Sequence, residues 1–419
     1  MRPPVYFQLP HWLAVACLVW AFGVSAEPPL SLPEAEQRAI ERDSLALSLR
    51  AEASAKYHEA TASGALPDPV LMVGVANLPA DDFRLDEDPM TQLQVGVRQR
   101  IPLGATRRLS RARMEALAGA DEAAVEARER VTRREVREAW LELYFSREAL
   151  AVLEDNRGAF RELADTTERE FATGRVPRQD VLRAELELDR LEDRISAMQA
   201  AEASARARLA RWVGHDVAAR PLADTWPRLS EPPGETDLAE HPVLRAEQQR
   251  VQADRHGVDI ARQARRPEFG VEARYGYRQT EMADGSTASD MLTVMATVDM
   301  PLFPSRRQGP QHEASMQRLE AATARRNNSY RELLAQWEHL QAQHQRLEER
   351  LARFDQRLVP QAVDNAEAAV SAYRSATVDF TALMRARITE LDTRIDALRI
   401  RLQRDQTRAG LLYLSGEPS

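Results

Sequence analysis

Hydrophobic and polar positions alternate strictly in three short stretches of the chain. In Glu268 to Arg278, Phe269, Val271, Ala273, Tyr275 and Tyr277 alternate with charged residues and glycine. In Asp290 to Met300, Leu292, Val294, Ala296, Val298 and Met300 alternate with Thr293, Met295, Thr297 and Asp299. In Thr91 to Ile101, Leu93, Val95 and Val97 alternate with Gln94, Gly96 and Arg98. Val70 to Asn77 alternates less cleanly. A period of two predicts strands with one apolar and one polar face. Elsewhere the apolar period is that of a helix. Met384, Ile388, Leu391, Ile395, Leu398 and Leu402 step alternately by four and three, as do Ala184, Leu188, Leu191, Ile195 and Met198. This spacing makes the narrow seam of a coiled coil.

The helices predicted this way are long. From Gly104 to about Phe171 there is no proline in roughly 68 residues, about 100 Å of helix. A counterpart runs from about Gln311 to Ser375, interrupted at Pro360. Shorter helices are expected over Leu32 to Ser63, Pro177 to Val213 and Glu240 to Arg265. The same order of features occurs twice. Ile101-Pro102-Leu103 returns as Met300-Pro301-Leu302, and Arg134-Glu135 with Trp140 returns as Arg331-Glu332 with Trp337. Phe171-Ala172-Thr173-Gly174 returns as Tyr373-Arg374-Ser375-Ala376, and Leu209 to Gly214 as Leu411 to Gly416. Matches in one order at offsets of 197 to 202 predict a duplicated unit of helix, hairpin, long helix and helix. The expected division is 1–26 as a signal peptide, 27–236 as the first repeat and 237–419 as the second.

The N-terminus carries Arg2, a 13-residue apolar stretch from Trp12 to Val24, and small residues at Val24-Ser25-Ala26. That pattern is a secretory signal, too short to span a bilayer. Cleavage after Ala26 removes Cys17, the only cysteine, so disulfide frameworks and cysteine metal sites are excluded. The mature chain carries a formal charge of −9, which argues against nucleic acid as a partner. Mean hydropathy is −0.49, and no run of 18 apolar residues occurs, which excludes a polytopic helical membrane protein.

Export changes the reading of the strands. Most have the 9 to 11 residues that a tilted transmembrane strand needs, and alternation is the signature of an outer-membrane barrel. The competing reading is a soluble sheet with one buried face, within a periplasmic coiled-coil protein. Four strands cannot close a barrel, and an open edge cannot sit in lipid. Strands in lipid therefore require several chains to share one barrel: about eight strands from a dimer, about twelve with a channel from a trimer.

There is no phosphate-binding glycine loop, nucleophile elbow or HExxH motif. His339 and His344 lie five apart, off the spacing that puts two ligands on one helical face, and are expected to be solvated. Met291 and Met295 fall on the opposite strand face from Met300 and do not form one metal-binding group. No catalytic residue, cofactor or resident metal site is expected.

With these elements in place, the chain resembles the TolC-type outer-membrane efflux family. The motifs are Phe171 to Ala184 (FATGRVPRQDVLRA), its second copy from Tyr373 to Ala386, and the lead-in Leu358-Val359-Pro360-Gln361-Ala362. Leu66-Pro67-Asp68-Pro69-Val70, Asn77-Leu78-Pro79 and Met90-Thr91 resemble the heavy-metal branch, the Czc- and Cus-like exit ducts. The resemblance implies a mainly α homotrimer. Twelve shared strands would form a β-barrel in outer-membrane lipid, and coiled-coil helices a tunnel through the periplasm. It implies docking onto a periplasmic adaptor and, through it, a proton-driven inner-membrane pump, with no chemistry of its own. The alternatives within the family are drug efflux and protein secretion.

The resemblance also places two turns at the periplasmic tip: Gly174, Arg175, Val176 and Pro177, and Ser375, Ala376, Thr377 and Val378. They are candidate adaptor-docking turns. Read from the residues alone they are helix-hairpin punctuation, with Gly174 suited to a positive φ and Pro177 to a first helical position. Some family members carry acidic rings six and nine positions past the second turn's glycine. Here Ala376 replaces that glycine and the two positions are Ala382 and Arg385, while Asp379 stands three residues early. The first copy has Asp180 and Arg183 at those spots. These four charges are candidate gate residues, equally readable as partners in salt bridges.

Overall fold

A computed structural model describes residues 28–416, except 82, 103, 235 and 283. The expected signal peptide and Cys17 lie outside the described residues. The chain opens with α1 (Leu32–Arg42) and α2 (Ser44–Gly64), then the hairpin β1 (Val70–Ala76) and β2 (Gln92–Ile101). Next come α3 (Thr106–Ala172), α4 (Arg178–Val213) and a single turn, α5 (His215–Ala218). After a 3-10 turn at Leu238–Glu240 the order returns as α6 (Pro242–Gln263), β3 (Glu268–Tyr277), β4 (Met291–Asp299), α7 (Gln308–Arg353), α8 (Val359–Arg374) and α9 (Phe380–Ser415).

Three boundaries differ from expectation, each for a local reason. The predicted helix over Leu32 to Ser63 is broken at Asp43, whose ψ of 94° leaves the helical region. Asp43 Oδ1 accepts from the backbone N–H of Leu45 and Ala46, capping α2. Its Oδ2 accepts from Arg128 Nε at 2.7 Å and Thr132 Oγ1 at 2.6 Å, pinning the break to α3. At Pro360 the opposite holds. The proline does not interrupt the rod, because a π-helical turn at Phe354–Leu358 joins α7 to α8 and places Pro360 in the first turn of α8. The wider π turn, in which Val359 N–H reaches back to Phe354 C=O, takes up the ladder bond that proline cannot make. Pro177 stands one residue earlier than expected, as the N-cap of α4 rather than its first residue.

Lengths match between the halves. α4 and α9 have 36 residues each. α3 has 67, and α7, the π turn and α8 run uninterrupted from Gln308 to Arg374 over the same length.

Helix seams form the core. α3 packs against α2 and α6 along one half of its length and against α4 and α9 along the other. The predicted heptads supply one cluster, in which Ala184, Leu191, Ile195, Met384 and Leu391 surround the buried Phe380, Leu153 and Phe160. A second cluster lies midway along α3, where Trp140 stacks on Tyr144 at 5.2 Å and Trp226 meets Tyr144 edge-on. The segment between the halves is tied into it: Trp226 Nε1 donates to Asp405 Oδ2 at 2.6 Å, and Leu30 pairs in parallel with Leu222. His344 is less solvated than expected, half-buried beside Glu348 at 3.7 Å.

All four strands form one antiparallel sheet in the order β1-β2-β3-β4, so the two hairpins join through β2 and β3. Val73, Val95, Tyr275 and Leu292 stand side by side in one row, and Gly74, Gln94, Gly276 and Met291 in the next. β1 and β4 are both edge strands. Among the described residues no helix is long and apolar enough to cross a membrane.

Candidate functional site

One side of the sheet is apolar, and among the described residues nothing covers it. Val73 is 75% exposed and Leu292 74%, and Leu71, Val95, Tyr275 and Val294 are exposed beside them. Alternation set these residues on one face, as the sequence predicts. An uncovered apolar face of this extent marks a surface made for contact with protein or lipid.

The opposite face is polar, and the charges at its middle pair with one another within the sheet. Glu272 is 2% exposed, and the side chains it bonds belong to the sheet itself. Its Oε2 accepts from Arg98 Nε at 2.6 Å on the neighbouring strand, and its Oε1 accepts from Arg274 Nε two residues along. Glycines give these side chains room. A Cβ at Gly96 would lie 2.6 Å from Arg274 Cγ, so the arginine stem crosses the space above that glycine. Gln92 lies over Gly276 in the same way. Nearer the helices, Glu268 stands opposite Asp299 in register.

At the other end of the rods the two turns are built alike. In the first, Gly174 N–H donates to Phe171 C=O at 2.8 Å and Arg175 N–H to Glu170 C=O at 2.9 Å. In the second, Ala376 N–H donates to Tyr373 C=O at 2.9 Å and Thr377 N–H to Ala372 C=O at 2.8 Å. Both are Schellman ends, which need a left-handed residue after the helix cap. Gly174 supplies it at φ 73° and Ala376 at φ 55°. The Ser375 hydroxyl bonds back to Ser371 and Ala372 C=O and lies 3.0 Å from Thr377 Oγ1. Arg175 and Pro177 are exposed, and Val176 and Val378 half-buried.

The four candidate charges separate into different tasks. Asp379 caps α9, its Oδ1 accepting from Ala382 N–H at 2.7 Å. Arg183 Nη1 donates to Thr381 Oγ1, bridging α4 to α9. Asp180 sits in the first turn of α4, where the helix dipole favours an acid. Arg385 is exposed, makes no ion pair among the described residues, and lines a groove of about 450 Å³ with Asn365, Ala368, Ala372, Val378 and Ala382.

One contact at the turns escaped the sequence reading. Tyr373 Oη donates to Glu170 Oε2 at 2.5 Å, joining the last turn of α8 to that of α3. Burial, and then this hydrogen bond to a carboxylate, push the Tyr373 hydroxyl pKa well above its ordinary value. The only sequence signal was that Tyr373 and Glu170 occupy equivalent ends of two repeats. Among the described residues no group of three or more His, Cys, Asp or Glu is placed to hold a metal ion.

The sequence profile of a family described as outer membrane efflux protein matches residues 34–215 and 235–417. No curated protein matches. Solved structures do. The outer membrane protein VceC from Vibrio cholerae is 17% identical, covering 92% of this chain and 96% of its own, with a TM-score of 0.77. CusC, a protein solved in connection with transmembrane channel formation, is 15% identical over 92% of both chains, with a TM-score of 0.78. The CmeC outer membrane channel of Campylobacter jejuni is 13% identical over 92% of this chain and 85% of its own, also at 0.78. At such identities the likeness is one of fold.

Proposed function

The chain belongs to the outer membrane efflux protein family, and on that premise we propose that it is the homotrimeric outer-membrane exit duct of a tripartite heavy-metal efflux system. Membership makes it a transport protein rather than an enzyme. The observation that carries the rest is the sheet: apolar on its open face, polar with paired charges at the middle of the other, and open along one side of the strand at each edge. An edge in lipid needs a partner for every backbone group. Pairing β4 of one protomer with β1 of the next meets that need. Three copies close a ring of twelve strands around a wet bore. The long helices continue the bore into the periplasm, and the turns at Gly174 to Pro177 and Ser375 to Val378 meet a periplasmic adaptor. The adaptor in turn connects to a proton-driven inner-membrane pump, and the duct conducts passively.

Support for metal cations as cargo comes from Leu66 to Val70, Asn77 to Pro79 and Met90-Thr91, which resemble the heavy-metal branch. One observation favours a second reading. Arg385, not an acid, stands past the second turn, and this suits drug efflux or protein secretion by the same family better than cation passage.

Deletion of the gene tests both readings, with growth scored against Zn, Cd, Co, Cu and a drug panel. Lost metal tolerance is expected. Unchanged metal tolerance with raised drug sensitivity overturns the metal cargo. Detergent extraction tests the duct itself: recovery as a trimer from the outer-membrane fraction is expected, and a detergent-free soluble protein overturns it.

A further inference from the structure

We infer that Glu272 is a positioning residue for conduction: it ties the Arg98 and Arg274 guanidiniums to the sheet and sets both the width and the charge of the bore at that level. This rests on the reading of the polar sheet face as the lumen of a shared barrel.

Three observations carry it. At 2% exposed, Glu272 is the most buried charged side chain of the four strands, yet it lies on their polar face, with the two arginines it binds lying against it. The two arginines reach it from opposite sides, Arg98 across the β2–β3 pair and Arg274 from the same strand. Gly96, opposite Arg274 in register, vacates the space through which the Arg274 stem runs. A long side chain on a channel wall ordinarily extends into solvent, which leaves its rotamers free. Here the carboxylate and the glycine together fold it down along the strands.

The charge consequence follows from the same three groups. Two guanidiniums share one carboxylate, so each protomer presents one uncompensated positive charge at this level. A threefold ring repeats it three times. Rings of charged side chains govern which ions pass a pore. Below it, Glu268 and Asp299 face each other in register, with Arg100 on the same face opposite Gly270, so the wall is acidic on balance at its helical end and basic in its middle.

Purified trimer in planar lipid bilayers under a potassium chloride gradient tests the inference. Glu272→Gln frees both arginines and adds one positive charge per protomer. Lower single-channel conductance and a reversal potential moved toward the chloride potential are expected. Glu272→Asp keeps the charge but reaches one arginine fewer, so the reversal potential stays and the conductance falls between the two. Wild-type conductance and reversal potential from a Glu272→Gln trimer overturn the inference. Should that variant not assemble, Arg274→Gln leaves the carboxylate paired to Arg98. It is expected to move the reversal potential toward the potassium potential, and an unmoved potential overturns the inference. If the wild-type protein itself opens no channel, it is the duct reading that fails.

Discussion

Tyr373 and Glu170 share a hydrogen bond of 2.5 Å that joins the far ends of the two long helical rods. The Tyr373 ring also meets Phe380 edge-on, so the residue touches both the other repeat and its own returning helix. Tyr373→Phe keeps the ring contact and removes the proton donor. A loss of about 1.5–3 kcal/mol of local stability is expected for a bond to a charged acceptor. Faster amide exchange at Gly174 to Val176 and Ser375 to Thr377 checks it. Because the raised pKa means the folded state holds this proton more tightly, the bond contributes fully below pH ~10 and is lost as pH rises further.

Ala376 performs with a methyl group what Gly174 performs without one. A left-handed alanine costs roughly 1–2 kcal/mol. Ala376→Gly is therefore expected to raise the melting temperature by a small amount, offset in part by the greater freedom of glycine in the unfolded chain. Gly174→Ala is expected to lower it. Thermal unfolding of the two single variants, with opposite signs, is the check.

Asp43 holds the break between α1 and α2 against α3. Burial pushes its carboxyl up, but hydrogen bonds from Thr132, Arg128 and the Ala46 N–H outweigh burial and leave it below the usual carboxylate value. A depressed carboxyl contributes stability that is present above the unfolded pKa, ~3.9, and lost as pH falls through the folded value. Asp43→Ala removes a cap and leaves Arg128 without its partner. A loss of about 2–4 kcal/mol, with a flatter acid limb in stability against pH, is the expected outcome.

His241 caps α6 through Nδ1, which accepts from Val243 N–H at 3.3 Å, while Nε2 donates to Tyr413 C=O at 3.3 Å. Those roles fix one neutral tautomer. Burial first, and then the nearby Arg130, lower its pKa to about 4. The unfolded chain takes up a proton near pH 6.5 and the folded chain near 4. Stability therefore falls as pH drops through that window, by about 3 kcal/mol at most. His241→Asn retains a cap without the titration, and its melting temperature is expected to vary less between pH 7 and 4.

Local periods made the strands and seams legible. Phe269 to Tyr277 needs only alternation, and Met384 to Leu402 only a step of three and four. The polar wall was less legible because Glu272 and Arg98 stand 174 positions apart and meet only through strand register. A pattern places both on a polar face; it does not bury one beneath the other. Asp43 carried a capping signal within an otherwise continuous helical stretch, and the absence of proline there hid the break. Pro360 carried a breaking signal that the π turn before it absorbs. In the candidate site, Gly174 announced its conformation. Ala376 announced it only by standing where the first turn has its glycine, and the hydrogen bonds and positive φ of the second turn match those of the first.

The equal lengths of the paired rods constrain how such a gene can change. Seven residues inserted into α3 alone would carry its turn about 10 Å past that of α8. Glu170 would then leave Tyr373, and the bridge from Arg183 to Thr381 would lose its register. An insertion or deletion within one repeat is tolerated only when a matching one arises in the other. Homologues of different reach should therefore differ by paired indels of whole heptads, and a length mismatch between the two halves of a homologue would betray a displaced tip.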